Sequence, residues 1–423
     1  MRRLLCASLL LIAACSRQNN TQTSDPAGLT VFEGARVIIG DGSDPIVNGV
    51  FTVRDGHIEQ VGTLETVKVP DGARRVSLRA KTVIPGLIDT HTHLRSQQRD
   101  TLIEDLQRRA YYGVVAAMSL GQDVGDVAYQ VRVDADATPN TARFRTAGRG
   151  LTMPEPGRTE APYWVTTEAD ARKAVQELAT KKVDIVKIWV DDRLGKYKKL
   201  TPALYGAIID EAHKNGLRVT AHIWYLEDAK GLLRAGLDAF AHGVRDRDID
   251  EELVALFKEH PDVILVPNLP DRGVAADMSW VGDTVPAAEL QKLQAAAVDN
   301  PELQKAYGIQ ARNLAKLYSA GVRIALGSDG NIPYAPHTEL EDMVAAGMSP
   351  RDALLAGTRN AAGLMRLTDL GTLAAGKSAD FIVLNANPLD DILNTRRISA
   401  VYMRGTLVDR AGLRRKWMPQ STN

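Results

Sequence analysis

Cysteine is nearly absent from this chain: 423 residues carry only Cys6 and Cys15. If the first fourteen residues are removed as a leader, one thiol remains and no disulfide can hold the protein together. Net charge is absent too. The 52 basic residues balance 52 acidic ones, and no Lys/Arg block is interleaved with aromatics, which are 5% of the chain. That excludes the electrostatic footprint of a nucleic-acid binder. There is also no apolar run long enough to span a bilayer, because Leu4 to Ala14 is too short. What remains, 44% hydrophobic and 25% charged, is the composition of an ordinary globular protein. Its length exceeds what one compact core usually holds, α/β barrels being the recognised exception.

The N-terminus has its own logic. Arg2 and Arg3 before the run Leu4 to Ala14 have the form of a secretory signal. Leu11-Ile-Ala-Ala-Cys15 resembles the lipobox of bacterial lipoproteins, which implies a signal peptide over 1–14 and a lipid on Cys15. Several acyl chains on one residue give stable anchoring, so the lipid is the expected contact with the membrane. Residues 15–29, polar and rich in Asn, Gln and Thr, read as a flexible tether. Ser16 in place of Asp implies, by the sorting rule of that class, the outer membrane and a periplasmic location.

Between about residues 84 and 366, β-branched runs alternate with helical stretches. Strand candidates begin at Leu87, Val114, Ala142, Val183, Arg218, Ala239, Val263 and Val322. Eight such units predict an α/β fold, a (β/α)8 TIM barrel. Thr201-Pro202 and Ser349-Pro350 read as helix starts, and Gly216, Gly236, Gly321 and Gly347 as helix ends. Residues 30–83 and 367–415 instead hold short alternating strands, with a hairpin signal at Asp55-Gly56. Neither part buries enough surface alone, so the two are expected to form one small β-sandwich beside the barrel.

Against only 8 histidines in the chain, the spacing in Leu87-Ile-Asp-Thr-His-Thr-His93 stands out. On a strand, residues i and i+2 share a face, so His91 and His93 can aim at one ion. Lys187, His222, His242 and Asp329 each close a later predicted strand, which places all six residues at one end of the barrel, where such folds carry their chemistry. Four imidazoles and a carboxylate suit a borderline ion such as zinc. A protonated Lys187 would be repelled there, whereas a neutral amine can add carbon dioxide and become an anionic carbamate that bridges two cations. The alternative is a lysine paired with Asp184.

Pro85-Gly-Leu-Ile-Asp-Thr-His-Thr-His93, the strand-4 lysine, the two later histidines, Gly327-Ser-Asp329 and Gly376-Lys-Ser-Ala-Asp380 together resemble the amidohydrolase superfamily. Pro336-His-Thr-Glu-Leu340 and Ala346-Gly-Met-Ser-Pro350 are similar to its imidazolonepropionase-related branch, which includes prolidases and other dipeptidases. The resemblance implies two divalent ions, zinc by preference, bridged by a carbamate on Lys187. It also implies that Asp329 is the catalytic base and then acid, and that a carbon–nitrogen amide bond is hydrolysed in a small molecule, a dipeptide or N-acyl amino acid. A cyclic amide or lactone is the alternative substrate, and a non-catalytic binding lipoprotein is the alternative of another class. Tyr225, Arg158, Trp189, Arg193 and His337 are candidates for the substrate pocket, with Arg158 or Arg193 gripping a carboxylate. The sequence leaves self-association open.

Overall fold

The computed structural model describes residues 28–418; the expected leader, Cys15 and most of the tether lie outside them. Leu29, placed in the tether by the sequence reading, is buried with Val31, Val50 and Val67. The chain forms an α/β structure: a mixed sheet built from both ends, and parallel sheets between them.

The parallel strands begin within three residues of their predicted starts: Leu87–Thr92, Val114–Ser119, Arg143–Thr146, Val186–Val190, Val219–Ile223, Ala239–Ala241, Ile264–Val266 and Arg323–Ile324. The first three form one parallel sheet and the last five belong to another, which two short strands, Leu151–Thr152 and Tyr163–Trp164, extend. These two short strands follow Arg143–Thr146 in the chain. The sheets are linked edge to edge. Thr90 N donates to Leu326 O (3.0 Å) and Thr92 bridges Gly330 in parallel, while Asp184 N donates to Thr146 O (3.0 Å). This arrangement is consistent with the barrel expected from the sequence.

The helix punctuation acts as its chemistry dictates. Thr201 caps Pro202–Lys214 by accepting from Leu204 N, and Ser349 caps Pro350–Leu355 by accepting from Asp352 N. Gly216, Gly236, Gly321 and Gly347 all have positive φ just beyond helix ends, where an L side chain would be strained.

The two chain ends meet where Thr82–Pro85 pairs antiparallel with Phe381–Leu384. One small β-sandwich from both ends was expected, and the strands of both ends join in one continuous eight-stranded sheet. Register shifts in Thr30–Val37, between Glu33 and Ala35 and between Ala35 and Val37, supply the physical reason. Such bulges bend a strand, so one ladder can turn across its own face. Phe32 stacks on Phe51 at 4.9 Å, Phe381 stacks on Tyr402 at 4.6 Å, and Phe32 meets Phe381 edge-on at 5.1 Å. These rings form a core of their own, separate from that of the parallel sheets.

Candidate metal centre and active site

The strand Leu87–Thr92 carries His91, and His93 follows its end; both project toward the loop after Arg323–Ile324. There Asp329 Oδ1 lies 3.0 Å from His93 Nε2 and 3.2 Å from His91 Nε2. One ligand atom from each of the three lies within 4.8 Å of the others. Asp329 holds a left-handed φ of 51° without being glycine, a conformation costing about 1 kcal/mol or more. The cost is met by local bonds: Asp329 N and Ser328 N both donate to His91 O, at 2.7 and 3.1 Å, and Ser328 Oγ donates to Asp89 Oδ2 at 2.6 Å.

Asp89 is the buried tie of this corner. It is fully enclosed and also accepts from His91 N and Ser328 N. Burial pushes its carboxyl up, against the pull of the equally buried Arg109 guanidinium. Arg109 in turn donates to Gly330 O and Asn331 Oδ1, so the same guanidinium that attracts Asp89 also ties down the loop after Asp329. Asn268 Oδ1 accepts from His91 Nδ1 at 2.8 Å, which places the ring proton on Nδ1 and turns the Nε2 lone pair toward Asp329.

The remaining expected ligands adjoin this trio. His242 Nε2 lies 3.4 Å from Asp329 Oδ2, and its ring centre is 5.1 Å from that of His91. His222 stands edge-on to His242 at 4.5 Å. His222 Nε2 donates to Asp191 Oδ2 at 2.9 Å, which leaves Nδ1 as its free ligand nitrogen. Burial lowers all four histidines, His222 to about 3, so they stand neutral, the form that binds cations. Asp329 is the opposite case: burial raises its carboxyl, but the hydrogen bond from His93 helps to hold it well below the usual range.

Lys187 has no exposed surface, and its Nζ lies 3.5 Å from His91 Nε2 and 5.4 Å from the Trp189 ring centre. Burial pushes the amine down to about 7 against the pull of Asp329. Asp184, its alternative partner, is instead engaged by Arg132 and Arg145.

The expected substrate residues fare differently. Trp189 is 4% exposed and lies against Gly121 and Gly150, where any added Cβ would overlap its ring, so it walls in Lys187. Arg158 and Arg193 are already committed: both pair with the buried Glu155, and Arg193 also with Asp191 at 2.6 Å. The Tyr225 hydroxyl donates to Asp192 (2.8 Å), a bond that holds the phenol up at about 12. His337 does not border the metal cluster. It is buried with Nε2–H on the Tyr112 carbonyl (2.8 Å) and Nδ1 3.1 Å from Thr395 Oγ1, so both ring nitrogens serve the packing of its helix.

The sequence reading did not single out Asp89, Asn268, Asp191, Glu155 and Arg245. Asp89 was accessible, since it shares a strand face with His91 two residues on. Arg245, whose guanidinium contacts His242 Nδ1, is three residues beyond that histidine. Glu155 and Asn268 act through partners 38 and 177 residues away, which no local pattern signals.

Neutral imidazoles, a low-lying carboxylate and a buried His93 Nδ1 with no partner form a donor set that fits divalent ions. The class this defines, from strand-end ligands on parallel sheets, is a metal-dependent hydrolase. The model of the amidohydrolase family matches residues 82–408, and the chain belongs to that family. It is 24% identical to the imidazolonepropionase of Deinococcus radiodurans, over 85% of this chain and 92% of that one, and 25% identical to the ochratoxinase of Aspergillus niger, over 92% and 89%. Among solved structures, a prolidase candidate from Bifidobacterium longum superposes with a TM-score of 0.74 at 28% identity, covering 91% of this chain and 98% of that one. A Xaa-Pro dipeptidase with bound methionine gives a TM-score of 0.73 at 22% identity, covering 90% and 99%. The chain is therefore a hydrolase of carbon–nitrogen bonds acting on a small molecule, and it is similar to imidazolonepropionases and prolidase-like proteins.

Proposed function

We propose that the protein is a dinuclear amidohydrolase on a closed (β/α)8 barrel, cleaving the amide bond of a dipeptide or N-acyl amino acid. The observation that carries the reading is Lys187: a fully buried amine whose pKa is pushed to about 7 and whose nearest polar partner is a metal-type histidine. A neutral Nζ can form an N–C bond to carbon dioxide and release one proton, giving a carbamate with two oxygens. His91, His93 and Asp329 would hold one ion, His222 and His242 the second, and the Lys187 carbamate would lie between them. Such ions, zinc by preference, supply an activated water and polarise the scissile carbonyl.

The chain's own groups do the rest. Asp329, ionised and fixed by its neighbours, takes a proton on its carboxylate as water attacks and returns it to the leaving nitrogen. Asn268 and Asp191 hold His91 and His222 in the tautomers that ligation needs. The likeness to imidazolonepropionase favours a cyclic amide as the second reading. On Leu11 to Cys15 and Ser16, we also place the protein at the periplasmic face of the outer membrane. The test of the activity is a panel of dipeptides, N-acyl amino acids and cyclic amides offered to zinc-loaded and chelator-stripped protein. Zinc-dependent release of amine from an open-chain amide is expected; no turnover of any carbon–nitrogen substrate would refute the reading.

A further inference from the structure

A cavity of about 320 Å³ lies between the excursion after Ile264–Val266 and the segment after Arg323–Ile324. Its floor is apolar: Met278, Trp280, Leu293 and Tyr334. Val274, Val298 and Ile332, large apolar side chains 37%, 54% and 49% exposed, stand at the same cavity. The helix Ala287–Ala296, which contributes Leu293, has no fully buried residue, so its apolar side is incompletely covered. Exposed apolar side chains gathered around one hollow mark a binding surface more often than scattered ones do.

Most charged groups lining this space are already paired. Arg272 pairs with Glu341 and Asp342, Arg396 pairs with Glu341 and lies over the Trp280 ring at 4.6 Å, and Glu339 accepts from Leu269 N. Asp271 and Asp277 are exposed carboxylates that accept from Gly273 N and from Ser279. Apart from those two, the uncommitted surface is apolar and aromatic. Adjacency to the metal cluster along the chain points to the occupant: Ser328 forms part of the wall and precedes Asp329, with Ile332 three residues beyond. A molecule whose amide lies at Asp329 would have this hollow beside it for a side arm.

We infer that this cavity receives an aromatic or comparably bulky apolar arm of the substrate, attached next to the scissile amide, and that Ile332, Trp280 and Met278 select for it. The inference rests on the amide-hydrolase reading and adds the substrate class. At roughly 30 Å³ per water, the volume equals about ten waters, enough for a group of naphthyl size. Recognition is by apolar burial and ring stacking, and no additional charge is required.

The experiment pairs 2-naphthoylglycine with acetylglycine on zinc-loaded protein, measuring turnover by amine release and binding by calorimetry. The expected result is a preference for the naphthoyl compound of at least about tenfold in both kcat/KM and Kd, as burial of a large apolar group predicts. Ile332→Glu places a charge at the partly exposed rim, and Ala297→Trp fills the space. Each should lower the naphthoyl-to-acetyl ratio by about tenfold. Equal binding of the two compounds by the unaltered protein, or a ratio unmoved in both variants, would overturn the inference. A tenfold binding preference without any amine release would support the cavity assignment and instead count against the amide-hydrolase reading.

Discussion

The end sheet and the barrel mouth are built on opposite principles. In the end sheet, Phe32, Phe51, Phe381 and Tyr402 stack into a core that satisfies itself by burial alone. At the barrel mouth the buried groups are Asp89, Arg109, Lys187, His91, His222 and His242, and Asp329 and Asn268 hold left-handed backbones. The first arrangement lowers the free energy of folding; the second raises it and is retained only where charge and geometry are put to use. The comparison teaches that damage to one region should appear as lost stability, and damage to the other as lost chemistry in a folded protein.

The sharpest way to separate the two is Asp329→Asn. Turnover should fall by about a thousandfold or more, with the unfolding midpoint little changed, because the group that moves the proton is gone and the fold is not. Full turnover in that variant would remove Asp329 from the mechanism. The reciprocal change is Phe381→Ala, in which a ring with no exposed surface leaves a cavity among three aromatics. A loss of about 3–5 kcal/mol in denaturant unfolding is expected, with bound metal unchanged in the protein that remains folded. A loss under about 1 kcal/mol would mean that the aromatic core is not what holds the sheet.

Asp191→Asn probes the mouth more gently. The amide cannot replace the charge that holds His222 in its tautomer, so zinc affinity should fall by about 10- to 100-fold in a competitive chelator titration. Unchanged affinity would make Asp191 merely a partner for Arg193. His337 tests a buried histidine outside both regions. Burial lowers its pKa from 6.5 to about 4, so the neutral ring stabilises the fold above pH 6.5, and this contribution is lost as the pH falls toward 4. Replacing it with Asn should flatten that part of the stability profile by up to about 3 kcal/mol, read from unfolding curves at pH 7, 6, 5 and 4. A profile with the same slope would show that the ring titrates alike in the folded and unfolded states. Cys15→Ala should leave both regions unaltered and move the protein from the membrane fraction to the soluble periplasmic one. Retention at the membrane would refute the lipid anchor.

Much of this contrast is legible in the sequence, for identifiable reasons. The eight parallel strands are visible because β-branched runs and helix punctuation are local signals, and Leu87, Val114 and Ala239 begin strands at the predicted residues. The metal-type residues are visible because His-x-His on a strand and single ligands at later strand ends form a pattern. The rest depends on long-range pairing. Arg109 reaches Gly330 across 221 residues, and Arg193 joins Glu155 across 38, so their role in shaping the mouth has no periodic signature. That also explains why Arg158 and Arg193 read as free cations while the fold had already paired them. The single bent sheet was missed because its bulges at Glu33 to Val37 arise from strand pairing.

The account turns on Lys187 as a bridge between two ions in a buried site. The measurement that tests this most directly is elemental mass spectrometry on chelator-free protein truncated before Ala27, with and without Lys187→Met. About two zinc-like ions per chain, falling to one or fewer in the variant, is the predicted result. Protein that carries no ion, or whose two ions survive the loss of Lys187, would contradict it.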